Sequence, residues 1–143
     1  MYSTLLGSDN VSALTVASFV GRDLVSRRGG GAHIAAFVAE MNNLARSLRM
    51  AKTRFTAPHG LDAGNSVSTS CALDMALLGV YSMQNPAFCY IVSQASRRIE
   101  VQSQTKGRTM YDISNNNRLM SASGVDGIKA GTSRAAGPCL LLI

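Results

Sequence analysis

Asn85-Pro86-Ala87-Phe88-Cys89-Tyr90-Ile91-Val92-Ser93-Gln94-Ala95-Ser96-Arg97-Arg98-Ile99-Glu100-Val101 is the stretch in which the chain changes its rule. Its first part reads as a helix running to about Ser96. Pro86 suits a first helical position, because its φ is already fixed near the helical value and its missing N–H would have had no partner there. From Arg97 the apolar period shortens, and Arg97–Val101 reads as a short strand. Everything upstream of this switch has helical character and everything downstream has strand character.

Working upstream, a helix is expected to begin near Ser70 as N-cap, with Asp74 in or near its first turn. Leu73, Leu77, Leu78 and Tyr81 are expected on its buried side. His33 to Leu48 carries the clearest amphipathic stripe: Ile34, Phe37, Val38, Met41, Leu44, Ala45 and Leu48 recur at steps of three and one. Arg46 and Arg49 near its end suit the negative pole of the helix dipole. A further helix is expected from Val11 to about Leu24, after Gly7-Ser8-Asp9-Asn10, whose side-chain oxygens can receive the open N–H groups of a helix start. Gly29-Gly30-Gly31 lacks the lysine and hydroxyl residue of a phosphate-cradling loop and reads as a connector.

Downstream, Thr109–Ile113, Gly127–Gly131 and Cys139–Ile143 read as further strands, the last two joined by a turn near Ala136-Gly137-Pro138. Helices first and strands afterwards is an α+β order, not a βαβ order. At 143 residues the chain is expected to be one domain, 1–143, with a helical part about 8–96 and a strand part about 97–143. The last strand runs out at Ile143 while still apolar, and would present an unpaired edge.

Composition narrows the function. Charged residues are 15% and apolar residues 46%, which suits a packed core and not a disordered chain. No apolar run approaches the roughly 18 residues of a membrane span. Met1-Tyr2-Ser3-Thr4 shows no basic region leading into an apolar one, so no secretory signal is read. The net charge is +6, concentrated in Arg22–Arg54 and from Arg97 onward, but aromatics are only 6% and no tryptophan is present. Basic stretches without stacking aromatics or a known reader motif argue for a solvated surface and against nucleic acid as partner. Cys71, Cys89 and Cys139 are too widely spaced for a metal site, and His33 and His59 have no paired histidine; no metal or other cofactor is expected. Cys89 and Cys139, among apolar neighbours, read as small core residues.

Two strings carry chemistry. Ser8-Asp9-Asn10 precedes a helix, and Lys129-Ala130-Gly131-Thr132-Ser133 lies in a strand and the turn beyond it. They match two of the three elements of the active-site serine set S-x-x-K, S-D-N and K-T-G. Further stretches extend the match: Phe37 to Ala45, Thr53-Arg54-Phe55, Pro58-His59-Gly60-Leu61-Asp62, Ser70 to Leu78, Asn85-Pro86, Asn115-Asn116-Asn117-Arg118-Leu119 and Gly124 to Gly137. In this ordered succession the chain resembles the D-alanyl-D-alanine carboxypeptidase family, the low-molecular-mass penicillin-binding proteins, over nearly its whole length.

The resemblance implies a partial penicillin-binding, β-lactamase-like fold and a serine-type carboxypeptidase that acts on peptidoglycan stem peptides ending in D-Ala-D-Ala through an acyl-enzyme. It implies β-lactams as inhibitors and an extracytoplasmic place for the full-length protein. Ser8 would pass the proton toward the leaving nitrogen. Asn10 would help hold the substrate backbone and the lysine, and Lys129 would supply a fixed positive charge. The backbone around Gly131, Thr132 and Ser133 would bind the peptide by strand addition, with the Thr132 N–H as an oxyanion donor.

The departures are as informative. The family's nucleophile segment, S-x-x-K, lies upstream of S-x-N, and only seven residues precede Ser8 here. That motif is expected to be missing, so the chain reads as a silent fragment, with an inactive peptidoglycan-binding remnant or a related β-lactamase-like hydrolase as alternatives. Ala130 stands where the family has Thr or Ser, and a lost hydrogen bond to a charged group is worth about 1.5–3 kcal/mol. Cys71 stands where Thr is usual. Arg118 would either contact the stem peptide or brace the sheet.

Overall fold

In the computed structural model, residues 1–61, 67–103, 105 and 107–143 are described. Asp62, the end of the Pro58–Asp62 string, lies outside them. Five helices precede four strands: α1 (Tyr2–Leu5), α2 (Asn10–Arg28), α3 (His33–Ser47), α4 (Ala72–Ser82), α5 (Pro86–Val92), β1 (Ser96–Ser103), β2 (Gly107–Ser114), β3 (Ile128–Ser133) and β4 (Gly137–Leu142). The α+β order is as expected. The short α1 had no signal in the periodicity, being a single turn.

Each helix start has its own local cause. Asp9 caps α2: its carboxylate accepts from the N–H groups of Val11 and Ser12 at 3.3 and 2.9 Å. Asn85 caps α5, accepting from the N–H of Ala87 at 2.9 Å, with Pro86 at the first position as expected. Cys71, not Ser70, occupies the N-cap of α4 and makes no side-chain capping bond. The Ser70 hydroxyl lies instead 2.8 Å from that of Thr53. Gly29, at φ 74°, ends α2.

The buried positions of α2 are Ala13, Ala17 and Gly21, one every four residues and therefore on one face. Small side chains let α3 come close, and a Cβ on Gly21 would collide with the His33 carbonyl. The stripe on α3 faces inward as the pattern requires, with Ala45 buried and its other members half-buried.

On α4 the expected face is wrong. Leu73 (70% exposed), Leu77 and Tyr81 point outward, whereas Asp74 is buried at 4%. The carboxylate is inside because it is satisfied there, accepting from the Lys52 N–H at 2.8 Å and the Thr53 hydroxyl at 2.7 Å. These two donors hold its pKa below the ordinary carboxylate value, Thr53 contributing most. Cys139 is likewise exposed, not a core residue, while Cys89 is half-buried.

The strands form two separate antiparallel pairs, β1 with β2 and β3 with β4. Ser96 faces Ser114 at one end of the first pair and Ser103 faces Gly107 at the other. In the second, Ile128 faces Leu142 and Ser133 faces Gly137. Gly137 takes φ 69°, a left-handed value that tightens the hairpin turn. The strand limits differ by a few residues from those read off the sequence, within the usual fraying of element ends.

Candidate active site

The loop Leu6-Gly7-Ser8 and the start of β3 meet although about 120 residues separate them along the chain. Leu6 is fully buried and fixes the loop. Ser8 adopts φ 55°, an uncommon conformation for a residue with a Cβ. Because Asp9 does the capping, the Ser8 hydroxyl is not spent on the helix. It donates to the Ala130 carbonyl at 3.1 Å. The Lys129 ammonium reaches the same two groups, donating to Ser8 Oγ and to the Ala130 carbonyl oxygen.

Partial burial pushes the Lys129 pKa below the ordinary lysine value. No carboxylate pairs with this ammonium among the described residues. A cation that is partly desolvated and unpaired by any acid is a natural binding point for an anion.

The asparagine triplet joins the two halves. The Asn116 N–H donates to the Leu6 carbonyl at 3.0 Å, and its side-chain amide donates to the Gly7 carbonyl at 2.9 Å. Asn117, 2% exposed, donates from its amide to the Gly127 carbonyl at 3.4 Å. Its oxygen receives the Leu119 N–H at 3.0 Å. Asn115 ties the triplet to α5, donating to the carbonyls of Val92 and Gln94 at 3.2 and 3.0 Å. One short segment therefore holds the residues just before Ser8 and just before β3. Sequence reasoning looked instead to Arg118, which is exposed and makes no hydrogen bond or ion pair among the described residues. The run of three amides was the available signal, since amides both donate and accept.

β3 offers an edge. In an antiparallel strand the backbone groups of alternate residues point the same way. The Ala130 carbonyl points at Ser8 and away from β4, so the Thr132 N–H is directed to that same side. Pro138, which has no N–H to give, sits opposite Thr132. Gly131 leaves open space where a Cβ would stand. The Ser133 hydroxyl is used locally, accepting from the Ala136 N–H at 3.0 Å in the hairpin turn. Asn10, first residue of α2, is half-buried and has no hydrogen bond to Ser8 or Lys129.

One correction concerns S-x-x-K. Ser103-Gln104-Thr105-Lys106 does spell it. Ser103 closes β1 and accepts from the Thr105 N–H at 3.3 Å, so its serine stands at the end of a strand and not at a helix start. Gln104 and Lys106 lie outside the described residues. Among the described residues no three His, Cys, Asp or Glu side chains gather into a potential metal site.

A helical segment followed by antiparallel strands, with a hydroxyl, an ammonium and a strand edge converging, is consistent with the penicillin-binding class of fold that the motifs resemble. The family model for D-alanyl-D-alanine carboxypeptidase matches residues 1–142, and the chain belongs to that family. It is 27% identical over 143 residues to the D-alanyl-D-alanine carboxypeptidase of Streptomyces sp. strain K15, covering 99% of this chain and 47% of that protein. It is 36% identical over 106 residues to the D-alanyl-D-alanine carboxypeptidase DacC of Escherichia coli strain K12, covering 71% of this chain and 24% of DacC. The crystal structure of the Streptomyces K15 DD-transpeptidase superposes with a TM-score of 0.84 at 25% identity, over 99% of this chain and 52% of that one. The chain thus spans about half of the Streptomyces K15 relative and about a quarter of DacC.

Proposed function

We propose that this chain is the part of a serine-type DD-peptidase domain that carries the S-x-N and K-x-G elements, Ser8 and Asn10 on one side and Lys129 with Gly131–Ser133 on the other. The observation that carries the reading is the shared hydrogen bonding of Ser8, Lys129 and the Ala130 carbonyl across the chain. A nucleophilic serine from an S-x-x-K element outside these 143 residues attacks the carbonyl of the penultimate D-alanine of a peptidoglycan stem peptide, the terminal D-alanine leaves through its amine, and water then hydrolyses the acyl-enzyme. Lys129 meets the substrate's negative charge, Ser8 relays a proton to the departing amine, and the Thr132 N–H stabilises the oxyanion. The peptide lies along β3, and β-lactams enter as acylating analogues. Stem peptides place the reaction outside the cytoplasm.

The partial-domain reading, helices about 8–96 and strands about 97–143, has separate support. Leu73, Leu77, Val80 and Tyr81 of α4, with Leu140, Leu142 and Ile143, are exposed. Leu73, Leu77 and Val80 share one face of α4 and Leu140 and Leu142 share one face of β4, and two apolar faces left open in this way support a reading in which further chain covers them.

Fluorescent penicillin tests the reading. The chain alone should take no covalent label. Fused behind the preceding, S-x-x-K-bearing part of the Streptomyces K15 relative, it should be labelled, and Lys129→Ala should slow labelling by about 10²-fold. Labelling of the chain alone would place a nucleophile within it and refute the proposal. A fused protein that binds stem peptide without being labelled would point to a non-catalytic binder.

A further inference from the structure

Three arginines line a cleft at the C-terminal end of α3 and the segment that follows it. Its volume is about 740 Å³, and it is lined by Asn42, Arg46, Arg49, Met50 and Arg54 together with Ala39, Ala51 and neighbouring polar residues. No carboxylate lines it. Among the described residues the ion pairs engage Arg27, Arg28, Arg98 and Arg108, and none engages Arg46, Arg49 or Arg54.

The walls are fixed. Asn42 grips the backbone of Phe55 from both sides, its amide donating to the carbonyl at 2.8 Å and its oxygen accepting the N–H at 2.9 Å. The buried Asp74 carboxylate holds Lys52 and Thr53. The Arg54 backbone is bridged to Thr69, with both N–H···O bonds at 2.9 Å. A segment without regular secondary structure is thereby pinned at successive points, and the arginines it bears are presented from a stationary frame.

Arg49 supplies the second, independent observation. Beyond the last turn of α3, the Met50 N–H bonds back to the Ala45 carbonyl at 2.9 Å and the Arg49 N–H to Arg46 at 3.0 Å. This is the arrangement in which the residue after the C-cap takes a left-handed conformation, a position that glycine ordinarily fills. Here it is arginine, at φ 58°. A Cβ is disfavoured there, so the Arg49 side chain is presented at a cost in backbone energy, and such outliers motivate a functional hypothesis.

We infer that this cleft is a binding site for a phosphate ester. A guanidinium presents a planar fork of N–H donors suited to phosphate and carboxylate alike. Arg46 gives one N–H to Asn43 Oδ1, and Asn43 in turn donates to Glu40; the remaining donors of three guanidiniums still exceed what the two oxygens of one carboxylate can accept, whereas a phosphate offers three free oxygens and a second charge. The cleft falls within the size range of small-molecule sites, and Ala39, Met50 and Ala51 give an apolar floor for the carbon part of the ester. The phosphate comes from a soluble polyol phosphate or from a phospholipid headgroup.

Titration of the chain with glycerol 2-phosphate, followed by the arginine side-chain Nε resonances and by calorimetry, tests this. Saturable binding is expected, with Arg46, Arg49 and Arg54 resonances moving and sodium chloride of equal ionic strength producing no such shift. Vesicles of phosphatidylglycerol in phosphatidylcholine form the second arm. Competition of the soluble ester with vesicle binding identifies the headgroup as a source, and soluble binding without vesicle binding identifies the free ester. Arg49→Gly should raise the melting temperature, because glycine relieves the left-handed position, yet weaken ester binding about tenfold or more. Arg27→Gln, at an exposed arginine paired with Asp23, should leave binding unchanged. A response matched by chloride, vesicle binding that the soluble ester does not displace, or an Arg49→Gly variant that binds like the parent would overturn the inference.

Discussion

The two hairpins have the same construction and opposite circumstances. Both are antiparallel pairs of strands adjacent in the chain. β3–β4 is held at its base: Ile128 is buried at 5%, Asn117 grips the Gly127 carbonyl, and the side chains of Ile128 and Leu141 close over Gly79 of α4. β1–β2 buries no residue fully among those described. Its attachments lie near α1 and α5, where Arg97 stacks over the Tyr2 ring at 5.3 Å and donates to the Tyr90 hydroxyl at 3.3 Å. Farther out it depends on cross-strand pairs, such as the two-pronged Arg98–Asp112 contact at 2.7 and 3.0 Å. The hairpin that carries Lys129 is thus anchored by buried contacts, and the other by exposed ones.

The strongest way to break that contrast is Gly127→Ala. Gly127 has φ 129°, and an added Cβ would stand 2.9 Å from Val92 Cγ2. Backbone strain and crowding together should cost about 3 kcal/mol, read as a lower denaturation midpoint. An unchanged midpoint would mean that the base of β3 is not fixed by Val92. Next comes Asn117→Ala, which leaves the Gly127 carbonyl and the Leu119 N–H without their partner and should cost about 2 kcal/mol. Amide exchange should then quicken in β3 and β4 while β1 and β2 keep their rates; equal quickening in both hairpins would deny the selective anchoring.

Arg98→Ala should have the smallest effect. Both partners of the pair are 66% exposed, and pairs of that kind contribute little and are screened by salt. The Arg98 guanidinium holds the Asp112 pKa below its usual value. A carboxylate so lowered adds stability above its unfolded pKa and loses it as the pH falls through its folded pKa. The small difference between Arg98→Ala and the parent should therefore vanish in concentrated salt and in acid. A large, salt-independent loss would show that β1–β2 is better anchored than its exposure suggests.

What was legible followed from how local each cause is. The α3 stripe, the Asn85-Pro86 helix start and the switch to strands before Arg97 depend on neighbours a few residues away, and all appear. The burial of Asp74 could not be read, because its partners Lys52 and Thr53 lie more than twenty positions earlier. The same applies to α4: apolar spacing shows that a face exists but not which face is covered. Ser8 and Lys129 were recognised as motifs, and their meeting is a fact of the fold. The Asn115–Asn117 brace that makes them meet was quoted only as a resemblance. Its partners are scattered from Leu6 to Gly127, beyond any periodic signal.

Asp9 has a consequence for how the triplet Ser8-Asp9-Asn10 is altered experimentally. In the motif's shorthand the central letter is free. In this chain that letter anchors the first turn of α2, and through it the orientation of its two neighbours. Replacing Asp9 with a residue lacking a side-chain acceptor would loosen the helix origin and let the Ser8 hydroxyl leave its place beside β3, imitating a chemical knockout while leaving every named reactive group intact.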